Sequence, residues 1–296
     1  MLGITLLRAS RPNFLVLAPL CVALGIVLTW RQMTALNGMH LALVLVGALL
    51  AHAAVNLLNE YQDFRSGLDL TTTRTPFSGG SGALPEMPEA APQVLVAAWA
   101  TLAAAAGIGL YFLWLRGLPM LLLGVGGLVL VIGYTRWLTR SPWLCLLAPG
   151  LGFGPVMIWG TQVALGGQPD ASSVLVATIV MLWVSELLLI NQIPDVAADH
   201  QAGRRHLPIV FGLKTAATVV AMLLLVSYLL LGIALLTGAL PTASGVTMLT
   251  LPAALWVTWR LPHALHSTGK LIPVMGANAA ALLATLALLG IALWQG

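Results

Sequence analysis

Two short segments concentrate the acids of this chain. One reads Asn59-Glu60-Tyr61-Gln62-Asp63, with Asp69 following, and the other reads Asn191-Gln192-Ile193-Pro194-Asp195-Val196-Ala197-Ala198-Asp199. In each, an Asn precedes an Asp by four positions, a spacing that puts both side chains on one face of a helix. Asp195 and Asp199 repeat that spacing. Carboxylates gathered beside a membrane repel one another unless a cation neutralises them. Oxygen donors without His or Cys suit Mg²⁺, which takes one or two carboxylates and completes its shell with water and substrate phosphates. Two such clusters facing each other would hold metals that bridge a diphosphate, with nearby Arg and Lys clamping its remaining oxygens. The plainer alternative is a set of solvated loop acids balanced by loop arginines. Scarcity argues against it: the chain has only 9 Asp and Glu, and seven lie in or beside these two segments, between Glu60 and Glu89 or at Asp195 and Asp199.

The elements that must position these residues are apolar helices. Of 296 residues, 59% are hydrophobic and 7% charged, against about 25% charged in a soluble domain. So few charges cannot cover a water-facing surface, so lipid must be the solvent. The apolar runs are continuous rather than alternating, which argues for helices over a barrel. A span needs about 20 mostly apolar residues. That ruler predicts nine transmembrane helices over 13–30, 39–59, 93–115, 117–135, 143–165, 171–192, 214–237, 242–259 and 273–294, in a single transmembrane domain, 1–296. Trp30, Trp114, Trp137, Trp143, Trp259 and Trp294 fall near proposed ends, as interfacial anchors do. The first apolar run leads into more membrane sequence without a small-residue cleavage site, so no cleavable signal peptide is expected.

Lys and Arg set the expected orientation. Arg8, Arg11, Arg65, Arg74, Arg136, Arg140, Arg204, Arg205, Lys214, Arg260 and Lys270 fall on one side, and Arg31 and Arg116 on the other. The N-terminus and both Asp segments should therefore be cytoplasmic, on a cell inner membrane, with the C-terminus opposite. The basic residues lie at helix ends and not on a soluble face, so the net charge of +4 does not imply nucleic acid.

Other residues have two readings. Glu186, an acid inside a span, is a functional candidate or a structural hydrogen-bonding partner. His52 and Asn56, one turn apart, line a cavity or pack between helices. Gly79, Gly80 and Gly82 read as loop flexibility or packing rather than a phosphate cradle, since no P-loop lysine follows. Glu86 and Glu89 read as solvated. Ala53, Ala54, Gly150, Gly152 and Gly154 give room in a cavity or close helix packing. Cys21 and Cys145 read as buried small hydrophobes.

At these motifs the sequence resembles the UbiA superfamily of membrane prenyltransferases, and most of all its 1,4-dihydroxy-2-naphthoate branch. The first family motif, Asn-Asp-x-x-Asp plus a later Asp, is here Asn59 to Asp63 and Asp69. Asn56-Leu57 and Gly67 are similar to that branch. The second motif, Asp-x-x-x-Asp, is Asp195 to Asp199, followed by Gly203-Arg204-Arg205. Tyr134-Thr135 with Arg140, and Arg11-Pro12, resemble further family stretches. Glu60 stands where the family has Asp, Pro194 where relatives often have a basic residue, and Arg74-Thr-Pro-Phe-Ser-Gly-Gly differs from the basic loop of the hydroxybenzoate branch. The resemblance implies an all-α bundle around a central cavity open to lipid. It also implies Mg²⁺-dependent transfer of a polyprenyl group from its diphosphate to an aromatic acceptor, 1,4-dihydroxy-2-naphthoate in menaquinone biosynthesis. Asp63, Asp195 and Asp199 would hold metal, assisted by Asn59, Asn191 and Asp69. Arg140, Arg204 and Lys214 would clamp diphosphate, and Asn56, Tyr134 and Glu186 would contact substrate. Acceptors such as 4-hydroxybenzoate, a porphyrin or a lipid stay open, as does a transporter using the same acids.

Overall fold

In a computed structural model that describes residues 1–33 and 35–296, no strand occurs among the described residues, and helices follow one another from α1 (Leu2–Ala9) onward. The main elements after it are α2 (Leu17–Trp30), α3 (Gly38–Arg65), α4 (Ala91–Arg116), α5 (Leu118–Gly133), α6 (Pro142–Leu151), α7 (Ala171–Asn191), α8 (Leu213–Leu236), α9 (Leu251–Arg260) and α10 (Thr268–Gln295). Among the described residues, seven helices are long and apolar enough to cross a membrane. The nine-helix count is therefore not reproduced by length: the fourth expected span, α5, has 16 residues, and the eighth divides into a 3₁₀ stretch, Thr242–Thr250, and α9.

Local chemistry explains the boundaries. Asn37 caps α3, its side chain accepting from His40 N at 3.1 Å, and Asp170 caps α7 through Ser173 N at 2.8 Å. Asp170, one of the two acids outside the motif segments, is thus a cap. α3 runs six residues past its expected end at 59 and stops before Gly67, whose φ of 78° suits a residue without Cβ. Asn59, Glu60 and Asp63 consequently stand on the last turns of a helix rather than in a loop. The second motif differs. Pro194 cannot donate to a helix and restricts Ile193, so α7 ends at Asn191, and Asp195 heads a separate short helix, Val196–Gln201. Asn191 and Asp195 therefore do not share one helical face. Pro149 inside α6 and Pro155 beyond it interrupt the ladder, and the chain widens into a π-helical stretch, Gly152–Trp159.

α7 sits at the centre, with Trp183, Val184 and Ile190 fully enclosed among α2, α8 and α10. Lipid gives helices little hydrophobic reason to associate, so close backbone approach matters. A Cβ on Gly150 would lie 2.2 Å from Ser185 Oγ and 2.3 Å from Met181 O, and one on Gly154 would lie 2.4 Å from Ala177 O. These two glycines serve packing against α7. Gly152 instead faces the central cavity. Outer faces present bare Val96, Leu122, Leu225 and Leu236. All six interfacial tryptophans are exposed, and both cysteines are buried and free.

Candidate active site

A cavity of about 950 Å³ opens between α3, α5, the π-helical stretch and α7. Its deep part is apolar, with Val44, Phe112, Leu123 and Met157, whereas Asp63, Asp69, Asp195, Asp199 and Arg204 gather at one end. α3 reaches the cavity along one flank, since His52, Asn56, Asn59 and Asp63 all line it. Their intervals of four, three and four residues are helical spacing.

Arg204 joins the two motifs. Its Nη1 donates to Asp199 Oδ1 at 2.8 Å, and its Nη2 donates to Asp63 Oδ1. Burial opposes the guanidinium charge, but Asp63 and Asp199 more than offset it, so Arg204 stays charged. Asp199 Oδ2 also meets buried His206 Nε2 at 2.8 Å. Asp195 is held by the loop between α3 and α4: Gly79 N donates to its Oδ2 at 3.0 Å and Ser78 Oγ to its Oδ1 at 3.5 Å. The Gly-rich loop is therefore packed into the site. A Cβ on Gly80 would lie 2.6 Å from Asp69 Oδ1.

The acid cluster is short of positive charge. Burial raises Asp69 to about 7, with Asp63 and Glu60 adding to it. Burial raises Asp195 to about 7 as well, with Asp199 adding. Asp69 Oδ2 and Asn191 Oδ1 are buried without a partner among the described residues. Unpartnered buried oxygens beside under-neutralised carboxylates are a donor set that fits a hard divalent cation such as Mg²⁺. Asn59 is less free, because its Oδ1 accepts from the Thr135 hydroxyl.

Not every expected residue reaches the site. Tyr134, Asn56, Asn59 and Asn191 line the cavity; Arg140, Lys214 and Glu186 do not. Arg140 ends a tight 3₁₀ turn whose geometry sends Thr139 inward and leaves Arg140 exposed. Lys214, on the first turn of α8, is exposed. Glu186 is enclosed between helices and accepts from Asn278 Nδ2 at 3.0 Å. Glu60, read as a replacement for a motif Asp, points away from the cavity. It is buried against Arg11 Nη2 at 3.2 Å and Ser81 N at 3.1 Å. Glu86 is exposed as expected, but it bridges Arg8 at 2.5 Å and Arg74 at 3.2 Å.

Among the lining residues that the sequence reading did not assign to the site are His206, Gly79 and Arg11. His206 carried no signal beyond following the arginine pair. Gly79 was visible only as part of a flexible-looking loop. Arg11 carried one in its Arg-Pro pair. It adopts the left-handed φ of 52°, the one non-glycine to do so among the described residues, and lines the cavity with its Nε buried and unpartnered. Strained backbone conformations cluster at functional sites.

The sequence matches the UbiA prenyltransferase family over residues 16–270. The chain belongs to that family. This UbiA-family chain is 27% identical over 254 residues to 1,4-dihydroxy-2-naphthoate octaprenyltransferase of Bacillus subtilis (strain 168), covering 85% of this chain and 80% of the relative. It is 32% identical over 157 residues to protoheme IX farnesyltransferase of Pyrobaculum arsenaticum, covering 50% of this chain and 55% of that one. Its fold is similar to that of a UbiA homolog from Archaeoglobus fulgidus bound to DMAPP and Mg²⁺, with TM-score 0.66, 16% identity, and 97% and 99% of the two chains covered. The protein is a multi-pass intramembrane prenyltransferase of this family.

Proposed function

We propose that this enzyme transfers a polyprenyl group from a polyprenyl diphosphate to 1,4-dihydroxy-2-naphthoate, in menaquinone biosynthesis, with Mg²⁺ as cofactor. The observation that carries the reading is the meeting of both Asp motifs, through Arg204, at the polar end of an otherwise apolar cavity. The Bacillus relative supports the acceptor, and the Archaeoglobus homolog with DMAPP and Mg²⁺ supports the donor and the metal.

Asp63, Asp195 and Asp199 are the metal-holding carboxylates, with Asp69, Asn59 and Asn191 beside them. Bound Mg²⁺ would neutralise the diphosphate and make it a better leaving group. Arg204 and Arg11 are the two guanidiniums at the cavity mouth, and they take the clamp role that Arg140 and Lys214 were expected to share. The apolar walls bed the prenyl chain and exclude water, which would otherwise capture the allylic cation. The electron-rich ring carbon of the acceptor attacks C1 of the prenyl group and then loses its proton, while diphosphate departs. Asn56 and Tyr134, which line the cavity, are the residues assigned to orient that ring.

The acceptor is tested by competing dihydroxynaphthoate against 4-hydroxybenzoate and protoheme for one labelled prenyl diphosphate, with and without Mg²⁺. Preference for dihydroxynaphthoate is expected; preference for either other acceptor would move the protein to another branch. Asp63→Asn and Asp195→Asn should each lower turnover about 10²–10³-fold while the protein stays inserted, and near-normal Mg²⁺-dependent activity in both would refute the metal assignment. The charge asymmetry supports an orientation with both motifs on the cytoplasmic face of an inner membrane. Reporter fusions at Gln168 and Arg205 should fall on opposite sides, and finding them together would reject that orientation.

A further inference from the structure

α3 has a second polar flank that the cavity does not use. Tyr61, Gln62 and Arg65 lie at helical spacing on the side turned away from His52, Asn56, Asn59 and Asp63. With Leu95 and Trp99 of α4 and Arg136 after α5, they line an open cleft of about 520 Å³ at the same membrane end as the Asp motifs. Arg65 and Arg136 are exposed, and neither has an acidic partner among the described residues; the ion pairs found involve Arg8, Arg11, Arg74 and Arg204. No Asp or Glu lines the cleft.

Two guanidiniums facing one cleft repel each other unless an anion lies between them, and a phosphate monoanion or diester fits their forked donors. Gln62 and Tyr61 add neutral donors. The other wall is apolar and faces lipid, with Trp99 about half exposed beside bare Val96 on α4. Trp99 stands about two turns in from the start of α4, on the apolar wall of the cleft. A ligand for this place must be anionic at one end and greasy below it. We infer that the cleft seats the headgroup of an anionic phospholipid, its phosphate between Arg65 and Arg136 and its acyl chains along Leu95, Val96 and Trp99. Basic pockets between helices at a membrane face bind such headgroups. The site lies on the opposite flank of α3 from the reaction cavity, so a bound lipid would brace the helix that carries Asn59 and Asp63 without entering the site.

The test uses the purified full chain in nanodiscs of phosphatidylcholine with a minor fraction of phosphatidylglycerol, followed by gentle extraction and native mass spectrometry. Wild type should retain phosphatidylglycerol over phosphatidylcholine. Arg65→Gln/Arg136→Gln should lose that retention about thirtyfold, at roughly fivefold per arginine. Arg65→Lys/Arg136→Lys should keep most of it, which separates charge from misfolding, and prenyl transfer at saturating substrate should persist in both double variants. Equal retention by the Gln variant would overturn the inference. So would retention that 10 mM-scale inorganic phosphate abolishes as readily as added phosphatidylglycerol does, since that result would assign a free-phosphate site.

Discussion

Arg204 donates to Asp63 across 141 residues of sequence while holding Asp199 with its other terminal nitrogen. One side chain thus ties the end of α3 to the short helix that follows α7. Its positive charge lets the two carboxylates approach.

Removing that charge should leave two buried carboxylates facing each other, and breaking a buried pair this way costs about 3–5 kcal/mol, less here because Arg204 is 20% exposed. Arg204→Gln should therefore lower Tm by several degrees in EDTA and show a larger Mg²⁺-induced rise than wild type. Unchanged Tm in EDTA would show that Arg204 does not hold the motifs together.

Glu186 is enclosed with Asn278 and outside the cavity lining. Glu186→Gln keeps an oxygen for Asn278 and should leave turnover per folded molecule within about twofold. Glu186→Leu strands the Asn278 amide and should lose about 1–3 kcal/mol of stability. A large activity loss in the Gln variant at unchanged Tm would instead give Glu186 a part in substrate binding.

Gly80 combines a φ of 75° with a site for Cβ 2.6 Å from Asp69 Oδ1. Gly80→Ala should cost about 1 kcal/mol in backbone strain and push Asp69 out of place. Turnover should fall far more than stability, and the apparent Mg²⁺ requirement should rise. Normal Mg²⁺ dependence would exclude Asp69 from the polar cluster's work.

Two glycines two residues apart, about half a helical turn, should behave oppositely. Gly150→Ala meets Ser185 Oγ and the Met181 carbonyl and should destabilise the fold by about 1–3 kcal/mol. Gly152→Ala has its nearest neighbour, Leu130 Cδ1, at 3.9 Å and should be tolerated. Gly152→Leu then narrows the cavity, and it should raise KM for the bulkier substrate before it lowers Tm. Equal stability loss at both positions would contradict the assignment of Gly152 to the cavity wall.

Composition alone determined that lipid surrounds this chain, because 7% charge cannot face water. The period-four Asn and Asp spacings marked both motifs, although only Asn59 and Asp63 share a helix. Small errors arose where local chemistry overrode hydropathy. Polar residues did not end α3, and Pro194 split what looked like one helical face. What the sequence could not decide was which charges meet. Arg140, Arg204, Lys214 and Arg11 are equivalent as cations in a string of letters. Only the tertiary packing, which brings Leu68–Thr71 after α3 against the short helix Val196–Gln201 after α7, turns Arg204 and Arg11 inward, leaves Arg140 and Lys214 at the surface, and buries Glu60 beneath Arg11 and Ser81 rather than in the cavity. Such contacts depend on helix rotation and on backbone approach through glycine, and both are fixed by long-range packing that no local spacing records.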